Sequence, residues 1–111
     1  MKHSTGTPTK AEKARMDKLK EMGQCVACYQ IGIHGRGYIQ IHHLLSGNRR
    51  IGHMASVSLC EWHHLGRSEM GRAEAERVLG PSLANGSKPF RAKFGSDMEL
   101  LALQNALLGE M

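Results

Sequence analysis

Three cysteines and seven histidines are the residues of this chain best suited to chemistry, and every cysteine plus six of the histidines lie between Cys25 and His64. They form three groups: Cys25-Val26-Ala27-Cys28, His42-His43, and Cys60-Glu61-Trp62-His63-His64. Thiolate and imidazole are zinc donors, and a two-residue spacer lets the backbone fold around one ion. Cys25, Cys28, Cys60 and one histidine supply the four ligands of a closed tetrahedral site. If Cys60 leads into a helix, His63 shares its face, whereas His64 is turned roughly 100° further around the axis. Helix phase therefore assigns His63 to a structural zinc. A lone CxxC is a weak motif, and the Cys-x-x-His half strengthens it.

His42, His43 and His64 are left over from that clip. Imidazole titrates near neutral pH, so such residues can hold a divalent ion or act as a general base. Neighbouring residues of a regular strand face opposite ways. Both His42 and His43 can serve one site only where a strand ends or bulges; otherwise one faces the core and the other solvent. Arg49 and Arg50 suit phosphate contact, or equally a solvated loop tip. His53 either contacts a phosphate or positions the base, or is a surface residue.

The elements that must position these groups can be read from caps and breakers. Residues 1–8 read as a mobile polar tail. Thr9-Lys10-Ala11-Glu12 has capping-box spacing for a helix running to Met22, with Gly23 as its stop. Cys25 to Cys28 forms a turn. Ile31–Ile33 and Tyr38–Ile41 flank Gly35-Arg36-Gly37 as a predicted hairpin. Residues 44–56 read as a loop, Val57–Leu59 as a strand delivering Cys60, and Glu61 to Leu65 as a helix weakened at Gly66. Beyond it, Ser68 is expected to cap a helix from Glu69 to Leu79, ended by Gly80-Pro81. Asn85-Gly86 marks a turn, 89–94 a helical turn, and Ser96–Glu99 a capping box opening a helix through Leu108.

A chain of 111 residues has room for one small core, which a bound metal would reinforce. With two Phe, two Tyr and one Trp, that core relies on Leu, Ile, Met and Ala. The odd cysteine count argues for reduced thiols and a cytoplasmic location. No apolar run approaches the ~20 residues that span a bilayer, and the first residues lack a signal-like apolar block. The net charge of +5 is uneven: residues 1–24 carry six Lys/Arg against three acids, residues 25–67 four against one, and residues 68–111 five against six. A basic surface around a metal cluster favours a polyanion such as nucleic acid.

Read in order, these segments resemble a family. Cys-Val-Ala-Cys at 25–28, Ile-His-His-Leu-Leu-Ser-Gly at 41–47, Arg-Arg-Ile-Gly-His-Met at 49–54, Leu-Cys-Glu-Trp-His-His at 59–64, Gly-Pro-Ser-Leu-Ala at 80–84 and Phe-Arg-Ala-Lys-Phe-Gly at 90–95 are similar to the phage recombination enhancement function (Ref) family of RecA-dependent HNH endonucleases. The likeness runs from Thr9 to Leu108. It implies an α+β fold, a small zinc-clipped ββα-metal (HNH) finger with an N-terminal helix and C-terminal helices. Residues 9–111 would form one nuclease domain, with the zinc and catalytic core at 25–67 and a helical part at 68–108.

By position the resemblance makes His43 the general base and His42 with His64 the ligands of a catalytic Mg²⁺ or Mn²⁺, a site zinc could also occupy. His53, Arg49 and Arg50 are possible auxiliaries. The middle asparagine of the broader HNH pattern is not evident, since His53-Met54-Ala55-Ser56 stands there, and Asn48 is not assigned its role. The implied partners are DNA and a bacterial RecA filament, with no membrane, for a monomer acting in the cytoplasm of a phage or prophage host. Only 24 residues precede Cys25, so the family's long basic extension is nearly absent, which bears on RecA dependence. The competing expectation is a non-catalytic zinc-binding module that contacts DNA or RecA and regulates recombination.

Overall fold

In the computed structural model, residues 9–34, 38–46, 49, 50 and 55–109 are described, with backbone alone for 45, 46, 49 and 50. The expected 1–8 tail and Gly35–Gly37 turn lie outside them.

Local hydrogen bonding sets the first helix, α1 (Lys10–Met22). The Thr9 hydroxyl accepts the Glu12 N–H at 3.2 Å, and the Glu12 carboxylate accepts the Thr9 N–H at 2.8 Å. Gly23 ends the helix in the left-handed region at φ 60°, where a side chain would be strained. Lys10, Lys13, Lys18 and Lys20 are exposed, while Arg15 and Leu19 turn inward.

Cys25 opens a short helix, α2 (Val26–Gln30), rather than a simple turn: its Sγ accepts the Cys28 N–H at 3.4 Å. The hairpin expected between 31–33 and 38–41 does not form. The Cys28 carbonyl accepts the N–H groups of both Ile31 and Ile33, so the chain curls back on the end of α2 and those donors are used locally. β1 (Gln40–His43) instead pairs antiparallel with β4 (Ser56–Leu59), in a register running from Gln40 opposite Leu59 to His43 opposite Ser56. The Leu44 N–H continues this ladder to the Ala55 carbonyl at 2.9 Å. Within the segment expected to be a loop, β2 (Leu45–Ser46) pairs with β3 (Arg49–Arg50). Closing β1 on β4 brings the ends of that segment together, and pairing its arms satisfies their backbone groups.

β4 is buried along its whole length, and side chains cover its free edge. Arg15 donates to the Ser56 carbonyl (2.6 Å) and hydroxyl (3.2 Å) and to Asn105 Oδ1 (2.7 Å). The Ser58 N–H donates to Gln104 Oε1 at 2.8 Å, and its hydroxyl to the Gln24 carbonyl at 2.6 Å. An uncovered edge would invite pairing with another chain; here α1 and the last helix occupy it.

α3 (Glu61–Leu65) follows directly, capped by Cys60 and closed by Gly66 at φ 75°. α4 (Arg72–Leu79) starts later than its sequence predicts, because the Ser68 hydroxyl accepts the Met70 N–H in a local turn and Gly71 takes the cap position. After a 3₁₀ turn at Leu83–Asn85 come α5 (Ser87–Phe94) and α6 (Asp97–Gly109). Ser96 and Glu99 form the expected capping box. The core gathers Val26, Ala27, Leu44, Val57, Leu59, Phe90, Phe94 and Leu100 around Cys25 and Cys28. Among the described residues no helix is long and apolar enough to cross a membrane.

Candidate metal centre

Two helix starts build the clip. Cys25 and Cys28 flank the first turn of α2, while Cys60 and His63 flank the first turn of α3, so each pair is held three residues apart on one helical face. The ligand atoms of all four lie within 4.8 Å of one another. His63 Nδ1 is 3.5 Å from Cys25 Sγ, 3.5 Å from Cys28 Sγ and 3.3 Å from Cys60 Sγ, and Cys28 Sγ is 3.8 Å from Cys60 Sγ. A tetrahedral zinc with Zn–S of about 2.3 Å and Zn–N of about 2.05 Å separates its sulfurs by about 3.8 Å and sulfur from nitrogen by about 3.5 Å. The cluster matches that spacing, so these four residues fit a zinc ion.

The second nitrogen of His63 is also committed. Nε2 donates to the Leu79 carbonyl at 2.8 Å, and since a carbonyl only accepts, the lone pair belongs to Nδ1 and faces the three sulfurs. Such outer contacts set a ligand's tautomer and ring orientation. In the absence of metal, burial opposes a charge on His63. Hydrogen bonds that the ring donates to Cys25, Cys60 and the Leu79 carbonyl outweigh it and push His63 up to about 10. The Cys28 thiol is raised by its hydrogen bonds to Cys25 and Cys60, whereas those from Cys25 and Cys28 lower Cys60. Phe94 closes the ring's flank, its centroid 5.0 Å from that of His63.

A second group forms around His64, the next residue of α3. The His42 and His64 rings approach edge to face with centroids 5.2 Å apart. An imidazole bound at ~2.1 Å holds its ring centre about 3.2 Å from the ion, so two rings on one ion have centres roughly 4.5 to 5.3 Å apart. His64 Nδ1 is 2.6 Å from Gln40 Oε1, and burial lowers the pKa of His64, favouring the neutral, ligating form. His43 is the last residue of β1 and half-buried. Because the β1–β4 register is unbroken, strand alternation turns it to the face opposite Gln40 and His42. Arg49 and Arg50 form β3; His53 and Asn48 lie outside the described residues.

Gln40 and the Leu79 carbonyl are contacts that motif reading did not find. Gln40 had a signal, since it stands two residues before His42 and so on the same strand face. The Leu79 carbonyl had none, being backbone sixteen residues from its partner.

The sequence profile of the family described as recombination enhancement, RecA-dependent nuclease matches residues 8–109. The chain belongs to this family. No curated protein matches it. The span assigned to the RecA-dependent nuclease family contains every cysteine and all the histidines after His3, so the clip and the His42–His64 pair both lie within it. The resemblance read from the ordered motifs is therefore borne out at the level of the family. The α+β fold with a Cys₃His cluster is likewise consistent with a zinc-clipped, HNH-like finger.

Proposed function

We propose that this RecA-dependent nuclease is an HNH-type, metal-dependent DNA endonuclease, with zinc in the Cys25–Cys28–Cys60–His63 clip and a divalent ion, Mg²⁺ or Mn²⁺, held by His42 and His64. The observation that carries this reading is the convergence of His42 and His64 at a spacing that suits one ion. A cation there would supply charge neutralisation at the scissile phosphate, and holding it with two protein ligands would leave coordination positions free for substrate and water. His43 is assigned as general base; strand alternation sets it on the face opposite His42, so this role requires its imidazole to reach the ion around the end of β1. Its imidazole takes a proton from water as the oxygen attacks phosphorus, the bond from phosphorus to O3′ breaks, and the departing O3′ takes a proton from solvent, so the products are a 3′-hydroxyl and a 5′-phosphate. Arg49, Arg50 and His53 are auxiliaries that would meet the DNA backbone. The partner is DNA presented with a RecA filament.

His43→Ala tests this assignment. The variant should keep the fold, bound zinc and DNA binding but lose at least about 100-fold in cleavage rate, the low end of general-base contributions, with Mg²⁺ or Mn²⁺ and with or without RecA filaments. Equal cleavage by the variant removes His43 as the base. Absence of cleavage by the native chain in both settings would leave a zinc module that binds without cutting.

A further inference from the structure

The contact between β1 and α3 assigns a role to a residue that no motif marks. Gln40 and His42 are two apart in a regular strand and leave it by the same face. Both meet His64, Gln40 through the 2.6 Å approach of Oε1 to Nδ1 and His42 through an edge-to-face approach of the two rings. The amide oxygen can only accept, so the hydrogen on His64 lies on Nδ1, and Nε2 carries the lone pair. A neutral histidine side chain with no acceptor beside it prefers its proton on Nε2, which blocks that nitrogen as a ligand. We infer that Gln40 is a positioning residue for the second ion, holding His64 in the Nδ1–H tautomer so that Nε2 is bare beside His42.

This inference rests on the reading of His42 and His64 as a ligand pair. It also matches the clip, where the Leu79 carbonyl fixes the proton on Nε2 of His63 and frees Nδ1. Adjacent histidines of one helical turn are thus set in opposite tautomers by opposite neighbours. His63 presents Nδ1 to the sulfurs, and His64 presents Nε2 to the space beside His42.

The test uses the whole chain loaded with one equivalent of zinc. Long-range ¹H–¹⁵N correlation at a pH where His64 is neutral reads its tautomer without any second ion, and Mn²⁺ titration followed by EPR reads affinity. Native protein should show His64 protonated at Nδ1. Gln40→Met should move the proton to Nε2 and weaken Mn²⁺ binding by about 10–100-fold, the usual effect of losing an outer-shell partner. Gln40→Glu, which keeps an acceptor oxygen, should retain both properties. If Gln40→Met fails to fold, Gln40→Asn, one methylene shorter, removes the same contact.

A native His64 protonated at Nε2 overturns the inference by itself, as would a reversed amide donating to a bare Nδ1. Unchanged Mn²⁺ affinity in Gln40→Met, with affinity lost in His64→Ala, overturns the role of Gln40 alone. Native affinity in His64→Ala overturns the ligand pair, and the inference falls with it.

Discussion

Replacing Cys28 with alanine separates a metal clip from a buried thiol that merely fills space. Cys28 is 8% exposed and belongs to the same core cluster as Val26 and Phe90. As a packing residue, its truncation would remove one sulfur, a loss of about 1 kcal/mol on the scale of one buried methylene, which would lower Tm by roughly 4–8 °C in a domain of about this size. As a ligand its loss is far larger. Structural zinc contributes about 10–16 kcal/mol in small zinc peptides, comparable to or greater than the entire ~5–15 kcal/mol stability of a typical domain. Donors 3.3–3.8 Å apart tie α2 to α3, and a water filling the position vacated by Cys28 would not restore that tie. The expected outcome is therefore loss of the cooperative far-UV CD melt together with loss of bound zinc. Chelation of the native protein by excess EDTA should reproduce it. A cooperative melt within about 8 °C of the native one would show that the cluster holds the fold by packing alone.

Two further outcomes follow from the same region. Gly80 stands at φ 87°, ψ −176°, a region essentially restricted to glycine, and an added Cβ would lie 3.1 Å from Phe94 Cζ; Gly80→Ala should cost about 1–3 kcal/mol, and an unchanged thermal midpoint would contradict the strain argument. Zinc affinity should rise with pH. His63 is pushed up to about 10 in the metal-free cluster, so its proton stabilises that form fully below the ordinary histidine value of ~6.5 and the contribution fades as pH climbs through about 10. Zinc must displace this proton, and competition titrations from pH 6 to 9 should show tightening; a flat profile would refute the linkage.

The features legible in the sequence were those whose causes are local. Thr9 and Glu12, or Ser96 and Glu99, meet three residues apart, and the clip halves are each one helical turn, so spacing alone exposes them. The pairing of β1 with β4 was hidden because it depends on the Cys28 carbonyl capturing Ile31 and Ile33, which removes the nearer partner from competition. Ser68 looked like a helix cap and instead closes a turn on Met70, since one hydroxyl can serve either purpose and Gly71 decides between them. The division between His63 and His64 was readable from helix phase, but their tautomers depend on Leu79 and Gln40, which only the assembled fold brings to them.

The attachment of α3 to the end of α4 has a consequence for what counts as the functional unit. His63 Nε2 donates to Leu79, and Trp62 Nε1 donates to the Gly80 carbonyl at 2.9 Å, so two neighbouring side chains grip two neighbouring carbonyls. The four donors all lie within residues 25–63, yet the nitrogen that should face the ion is chosen by backbone beyond the finger. A fragment ending at Arg67 would keep every ligand and lose the contact that orients one of them. Zinc bound by these four residues would thus depend on the helical half as well as on the finger, and substitutions around Leu79 that touch no metal should register as changes in how firmly the metal is kept.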